Sequence, residues 1–217
     1  MNQHQKTKSM NHRILTIALA ALAVSPGASI SQEPKPAAGD EKKPGSADSK
    51  KEESKTARSD QDMERIRTRN HRKAQEAWAR DQKKRNAKQY AEMESEYQEI
   101  NKNFKAPNVK ELLEAFIKKW KDGNRVGCAT MYLAQKSGGA EREKLLEKCV
   151  KDYSDAYYLN GCAVGGLSRL FLASHYQQNG KASAAKKLVE EIEKNYAEAA
   201  DHSGRLIVDQ LRELKKK

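Results

Sequence analysis

Apolar residues are scarce in this chain of 217 residues. Hydrophobic residues make up 37% of it and charged residues 33%, a composition too polar for one large core. The longest apolar run, ILTIALAALAV at residues 14–24, has 11 residues, about half of the roughly 20 needed to cross a bilayer as a helix. We therefore expect unpacked segments along the chain and no permanent transmembrane anchor.

Cysteine is also rare, and none of the three cysteines belongs to a C-x-x-C pair. This absence excludes a thioredoxin-like redox motif. Three cysteines allow at most one intramolecular disulfide, and a bond between Cys149 and Cys162 would close a short loop. The other interpretation is that Cys128, Cys149 and Cys162 are small core residues.

Sequence signatures of catalysis are missing as well. The chain has no Gly-rich phosphate loop and no nucleophile elbow. Beyond the N-terminal region its histidines are His71, His175 and His202, and no two of them lie within one helix turn as metal ligands would. We therefore expect no catalytic residue, no metal site and no cofactor, and we predict that the protein is not an enzyme.

The N-terminus has the three regions of a secretory signal peptide at residues 1–31. Basic residues precede the apolar run, and a short polar stretch with small residues follows it. We expect translation to start at Met1 or Met10, cleavage after Ser31, and export to the bacterial periplasm or medium. Cleavage removes three positive charges and no negative ones, so the formal net charge falls from +12 to +9, which favours acidic partners.

The next segment, residues 32–60, lacks apolar residues that could build a core. It contains seven basic residues, seven acidic residues and three prolines. Such a composition is typical of a disordered tether, and its zero net charge argues against a polybasic arm.

Proline and glycine are absent from residues 61–104, which predicts one long charged helix. Its first part is strongly basic, so it is a candidate surface for anion binding. The basic residues there are Arg65, Arg67, Arg69, Arg72, Lys73, Arg80, Lys83, Lys84, Arg85 and Lys88.

The second part of this predicted helix has one apolar stripe. Five apolar side chains follow a 3-4-3-4 spacing that places them on one face: Tyr90, Met93, Tyr97, Ile100 and Phe104. The stripe either packs on the chain's own C-terminal domain or pairs with another helix as a short coiled coil. Two heptads are few for an independent coiled coil, which favours packing within the chain.

From residue 105 onward, helical periodicity and turn residues predict an all-α domain. We expect helices at 109–120, 125–136, 141–153, 165–178, 181–196 and 204–214, with no alternating strand.

One predicted hairpin, residues 170–192, carries the spacing of a known repeat. It combines small residues at the helix crossing with a glycine at the turn and larger side chains beside them: Leu172, Ala173, Tyr176, Gly180, Ala185 and Val189. This pattern resembles the tetratricopeptide repeat family. Trp120, Ala129 and Leu133 form a weaker copy, 56 residues away when measured from Trp120 to Tyr176, whereas the family repeats at about 34.

The resemblance implies a short helical scaffold whose concave face holds a peptide or another protein of the bacterial envelope. The expected function is therefore a non-enzymatic interaction module at residues 105–217. The alternative is that the basic helix 63–88 binds lipid head groups, an envelope polymer or nucleic acid, while the helical domain only supports it.

Export gives a direct test of the N-terminal prediction. The protein recovered outside the cytoplasm should begin at Gln32, as determined by N-terminal mass spectrometry. Leu19→Arg puts a charge into the apolar run and should retain the uncleaved chain inside the cell, whereas Asn11→Arg, which adds the same charge before the run, should not. An uncleaved chain outside the cell would contradict the prediction.

Overall fold

The computed structural model describes residues 58–215, the side chains of 213–215 excepted. The predicted signal peptide at 1–31 and the predicted tether, up to residue 57, lie outside the described residues. Within the described residues the protein is all-α and has no strand. Its helices are α1 (Asp60–Lys84), α2 (Ala87–Lys102), α3 (Val109–Trp120), α4 (Asn124–Lys136), α5 (Gly139–Asp152), α6 (Val164–Gln178), α7 (Ala182–Asn195) and α8 (Ile207–Lys215).

The segment predicted as one helix at 61–104 is divided into α1 and α2, which corrects the prediction. Arg85 is extended, with φ −130° and ψ 150°. Asn86 begins α2 with a capping box: its side chain accepts from Gln89 N at 2.9 Å, and its own N donates to Gln89 Oε1 at 3.3 Å. These bonds satisfy main-chain groups at the new helix end, so a break forms without proline or glycine.

Helices α3 to α8 form a two-layer stack of hairpins. Each helix contacts the next, and α4 also contacts α6, which contacts α8. The backbones of α3, α5 and α7 are not closely packed against one another within the described chain, although an ion pair at 3.0 Å joins Lys110 of α3 to Glu141 of α5. The stack therefore has a close inner layer of α4, α6 and α8, and an outer layer of α3, α5 and α7.

The turns that lead into α6 and α8 have the same construction. Each is closed by an isolated antiparallel bridge, between Tyr157 and Ala163 in the first turn and between Ala200 and Leu206 in the second. The two bridges are 43 residues apart, as are the 14-residue helices α5 and α7. The last two hairpins, α5–α6 and α7–α8, thus repeat at 43 residues, whereas α3 begins 30 residues before α5. Neither the 56-residue offset nor the family's length of about 34 describes this repeat.

The apolar stripe of α2 packs within the chain, as the favoured interpretation predicted. Met93, Tyr97 and Ile100 are buried. The ring of Tyr97 lies between those of Phe116 in α3 and Tyr132 in α4, with centroid distances of 5.7 and 6.3 Å. Helix α2 therefore covers the start of the stack and buries aromatic surface there.

A buried carboxylate fixes α1 to the first helix of the inner layer. Asp81 accepts hydrogen bonds from the main-chain N–H groups of Asn124 and Arg125, each at 2.8 Å. These groups belong to the first turn of α4, whose own N-cap residue is Gly123 with φ +108°. Since glycine has no capping side chain, Asp81 supplies the cap from another helix. A Cβ on Gly123 would collide with that carboxylate.

Removing the negative charge of Asp81 tests this cap. Asp81→Asn keeps the shape of the side chain, but its single amide oxygen can accept only one of the two hydrogen bonds, and its NH2 group cannot accept the other. Urea denaturation should show a loss of about 1–3 kcal/mol in the free energy of unfolding. Asp122→Asn, which changes a 69% exposed carboxylate at the same turn, should have little effect. Equal losses in the two variants would contradict the proposed role of Asp81.

Candidate functional site

Helix α1 lies along the edge of the stack where the turns enter the inner helices. Arg80 donates to both Asp155 Oδ2 and Asp155 O at 2.9 Å, and Arg69 forms an ion pair with Glu198. Asp155 and Glu198 occupy equivalent positions in the two 43-residue units. Their partners are 11 residues apart on α1, which corresponds to three helix turns and about 16–17 Å. The spacing of these arginines along α1 thus matches that of the repeated turns.

Helix α1 also contacts the main chain of these turns. Asn70 is buried and donates from Nδ2 to Glu198 O at 2.8 Å. In the first turn, Gly161 has φ +84°, and a Cβ at this position would lie 3.2 Å from the main chain of Asn70. Glycine therefore serves both the turn and the close approach of α1. This edge of the stack, defined by the turns containing Asp122, Asp155 and Glu198, is called the acidic edge below.

The third turn of the acidic edge, between α3 and α4, contacts the end of α1. Lys84 pairs with Asp122 at 3.5 Å. Arg85 donates to Asp122 O at 2.6 Å and to Trp120 O at 3.4 Å, and only 8% of its side chain is exposed. Burial and these partners remove Arg85 from the set of surface cations that the sequence predicted.

The structure therefore divides the ten candidate anion-binding residues into two groups. Four of them contact the acidic edge: Arg69, Arg80, Lys84 and Arg85. The other six are exposed to solvent: Arg65, Arg67, Arg72, Lys73, Lys83 and Lys88.

Arg125 joins α4 to both N-terminal helices. Its guanidinium forms a bidentate pair with Glu94 of α2, with N–O distances of 2.5 and 2.6 Å. The Cζ atom lies 3.6 Å from the centre of the Trp78 ring and 4.5 Å from that of Tyr97. Burial acts to lower the pKa of Arg125, but the hydrogen bond and charge of Glu94, together with Tyr97 and Cys128, outweigh it, and the pKa is raised above its usual value. A charged group this deeply buried needs such a partner.

The residues of the repeat pattern have packing roles. Leu172, Ala173, Ala185 and Val189 are buried where α6 meets α7. Tyr176 is half-buried, and its hydroxyl donates to Glu147 of α5 at 2.7 Å. The remaining members of the pattern are Gly180, which has φ +73°, the buried Ala129 and Leu133, and the half-buried Trp120.

All three cysteines are free and buried, so no bond joins Cys149 to Cys162 in the structure. Burial raises the pKa of the Cys128 thiol to about 12. It also raises the pKa of Cys149 and Cys162 well above the usual range of thiols. Thiols of this kind are protonated at neutral pH and poor nucleophiles, which fits core packing.

The histidines are dispersed over the fold. His71 is exposed, His175 lies 3.1 Å from Glu143, and His202 is held by the turn before α8. Over the described residues no group of His, Cys, Asp or Glu side chains could hold a metal ion. None of the helices in this part of the chain has the length and apolarity needed to cross a membrane.

The acidic edge holds a helix of the same chain, α1. Its central residues, Asp155 and Glu198, were not predicted from the sequence. Asp155 and Glu198 each follow a tyrosine by two positions at the end of an outer helix, within the segments YSDAYYLNG and YAEAADHSG. Alignment of these segments at a 43-residue offset could have identified the acidic positions. Asp81 gave no such signal, because its partner is the main chain of α4.

His202 gives a pH-dependent prediction. Its ring makes an edge contact with Tyr158, at a centroid distance of 4.4 Å, and burial lowers its pKa although Asp201 opposes the shift. The unfolded chain therefore binds a proton more readily, and this contribution to stability is lost as pH falls below about 6.5. His202→Phe should lose less stability than the wild type between about pH 7.5 and pH 5, measured by urea denaturation. Equal losses would contradict this assignment.

Comparison with known proteins identifies no relative of this chain. No family model, no curated protein and no solved structure matches the chain. The chain is a helical protein with packed adjacent hairpins, an architecture compatible with a tetratricopeptide-like repeat.

Proposed function

We propose that this chain is an exported, non-enzymatic interaction module, similar to tetratricopeptide-repeat proteins, and that its acidic edge receives a helix of a partner protein. Export is proposed from the signal-like N-terminus, and an envelope protein is the corresponding partner. The observation that carries the proposal is the contact of α1 with equivalent acidic residues, Asp155 and Glu198, in two successive units.

This contact supports helix binding because it repeats with the period of the stack. Arg80 and Arg69 are separated by three helix turns, so the same face of α1 meets both units. A partner helix with cations at this spacing would meet the same carboxylates. The proposed binding surface is the acidic edge and not a concave groove of the stack, because α1 and α2 already contact α4 of the inner layer.

The contact is suited to exchange because little apolar surface holds α1, and the anchor that Asp81 provides lies at the C-terminal end of the helix. Its buried positions are occupied by Ile66, Asn70, Ala74, Ala77 and Asp81, of which only Ile66 is a large apolar residue. Exposed ion pairs contribute modestly and are screened by salt. We therefore expect α1 to detach more readily than α2, which buries Met93, Tyr97 and Ile100.

Binding of a helix from outside the chain tests the proposal. In the variant Arg69→Glu/Arg80→Glu, α1 is repelled from the acidic edge, and a labelled peptide of wild-type residues 58–85 should bind there. Fluorescence anisotropy should show binding at least about tenfold tighter than to the wild-type chain, whose edge is occupied by its own helix at high effective concentration.

Two control variants make this experiment specific. Arg72→Glu/Lys83→Glu introduces the same charge change at side chains that do not contact the edge, and it should not create peptide binding. Adding Asp155→Arg and Glu198→Arg to the first variant restores charge pairing within the chain, so peptide binding should disappear. If α1 is released, as seen by faster amide exchange at residues 60–84, and the peptide still does not bind, the proposal is wrong.

A further inference from the structure

The side of α1 that faces solvent carries a separate row of cations. Successive helical residues are rotated by about 100°, so Arg65, Arg72 and Lys83 fall within about 20° of one another around the helix axis. All three are exposed, and they lie away from the buried face of α1 that includes Ala74 and Asp81. The row extends over 18 residues, or about 27 Å.

The cations of this row are not committed to the fold. Arg65 and Arg72 approach only acids of their own helix, Asp62 and Glu76, in exposed pairs with N–O distances of 3.8 Å. Such pairs are weak in water. Lys83 has no ion-pair partner among the described residues. The row is thus available to a ligand, unlike Arg69 and Arg80, which the acidic edge engages.

The surroundings of the row restrict the kind of ligand. Between residues 65 and 83 the only acids are Glu76, which lies beside the row and pairs with Arg72, and the buried Asp81, so cations outnumber exposed acids along the row. The neutral side chains near the row are mostly polar, including Gln61, Thr68 and Gln75. An apolar face that could enter a bilayer is therefore lacking on this side of the helix.

Recognition of nucleic-acid bases is equally unsupported at this surface. Trp78 is the only aromatic residue of α1 other than His71, and the guanidinium of Arg125 covers its ring at 3.6 Å. No aromatic side chain of the row is left for base stacking. The row would therefore recognise a ligand only through the charges of the ligand's backbone, over a length of about 27 Å.

We propose that the row Arg65, Arg72 and Lys83 binds a linear polyanion, a flexible polymer with regularly spaced phosphate or sulfate groups. This surface is independent of the proposed helix exchange, because neither Arg69 nor Arg80 belongs to it. One face of α1 would then hold the stack while the other holds the polymer. Failure of one proposal leaves the other open to its own test.

Long-chain inorganic polyphosphate and heparin are suitable probes of phosphate and sulfate polymers. The test compares the full chain with its variant Arg65→Gln/Arg72→Gln/Lys83→Gln, using labelled polymer and fluorescence anisotropy between about 25 and 300 mM NaCl. For at least one polymer, the variant should bind about tenfold more weakly or worse at low salt. The slope of log affinity against log salt should fall by about two to three.

A matched control separates the row from general basicity. Helix α7 carries three exposed lysines, Lys186, Lys187 and Lys194. Replacing all three by glutamine changes the net charge equally, and this variant should bind polymer within about twofold of the wild type. Circular dichroism and thermal unfolding should be unchanged in both variants, because every altered side chain is exposed.

Each outcome decides the proposal. Selective loss of either polymer in the α1 variant supports it, and the polymer affected identifies phosphate or sulfate chemistry. Equal losses in the α1 and α7 variants would show diffuse attraction by net charge and would overturn it, as would no loss in either. Tighter binding to anionic phospholipid vesicles than to both polymers, through the same three side chains, would also overturn the assignment to a linear polymer.

Discussion

The position of α1 depends on the hydrogen bonds that the buried carboxylate of Asp81 accepts at the start of α4. The first turn of α4 has unpaired N–H groups and no side-chain cap of its own. Asp81 satisfies two of these donors from another helix, and Gly123 leaves the space that this requires. Asp81 needs these N–H groups in turn, because burying a carboxylate without hydrogen-bond partners costs free energy. The cap therefore sets where α1 ends, and Arg85 immediately continues the contact with the α3–α4 turn.

With this end fixed, the rest of α1 runs along the acidic edge, and its opposite faces differ in character. The inward side meets the turns through Asn70, Arg69 and Arg80, at positions that follow the 43-residue repeat. The outward side keeps cations that the fold does not use. The sequence shows residues 63–88 as strongly basic without distinguishing the faces of the helix. In the fold, one side of α1 contacts the stack and the other is exposed to solvent. Each side is the basis of a separate binding proposal.

Local features of the fold were predictable from sequence. The helix predicted at 109–120 has the observed bounds of α3, Val109–Trp120, because an apolar periodicity and a glycine stop are encoded within a few residues. Burial of Met93, Tyr97 and Ile100 followed from their spacing in the same way. The division of α1 from α2 was missed. Its capping residues Asn86 and Gln89 were visible, but composition without proline or glycine favoured a continuous helix.

The sequence by itself determined that the described chain is helical, where most helices lie, and that residues 63–88 are strongly basic. Only the tertiary structure decided which cations remain free. Helix periodicity is a property of neighbouring residues, whereas Arg69 and Glu198 are 129 residues apart and meet only after the stack has formed. The same holds for Asp81 and α4, since a main-chain N–H group leaves no mark in the sequence. The tertiary structure therefore decides which charges form pairs. The charges that remain free are those that the fold exposes to solvent.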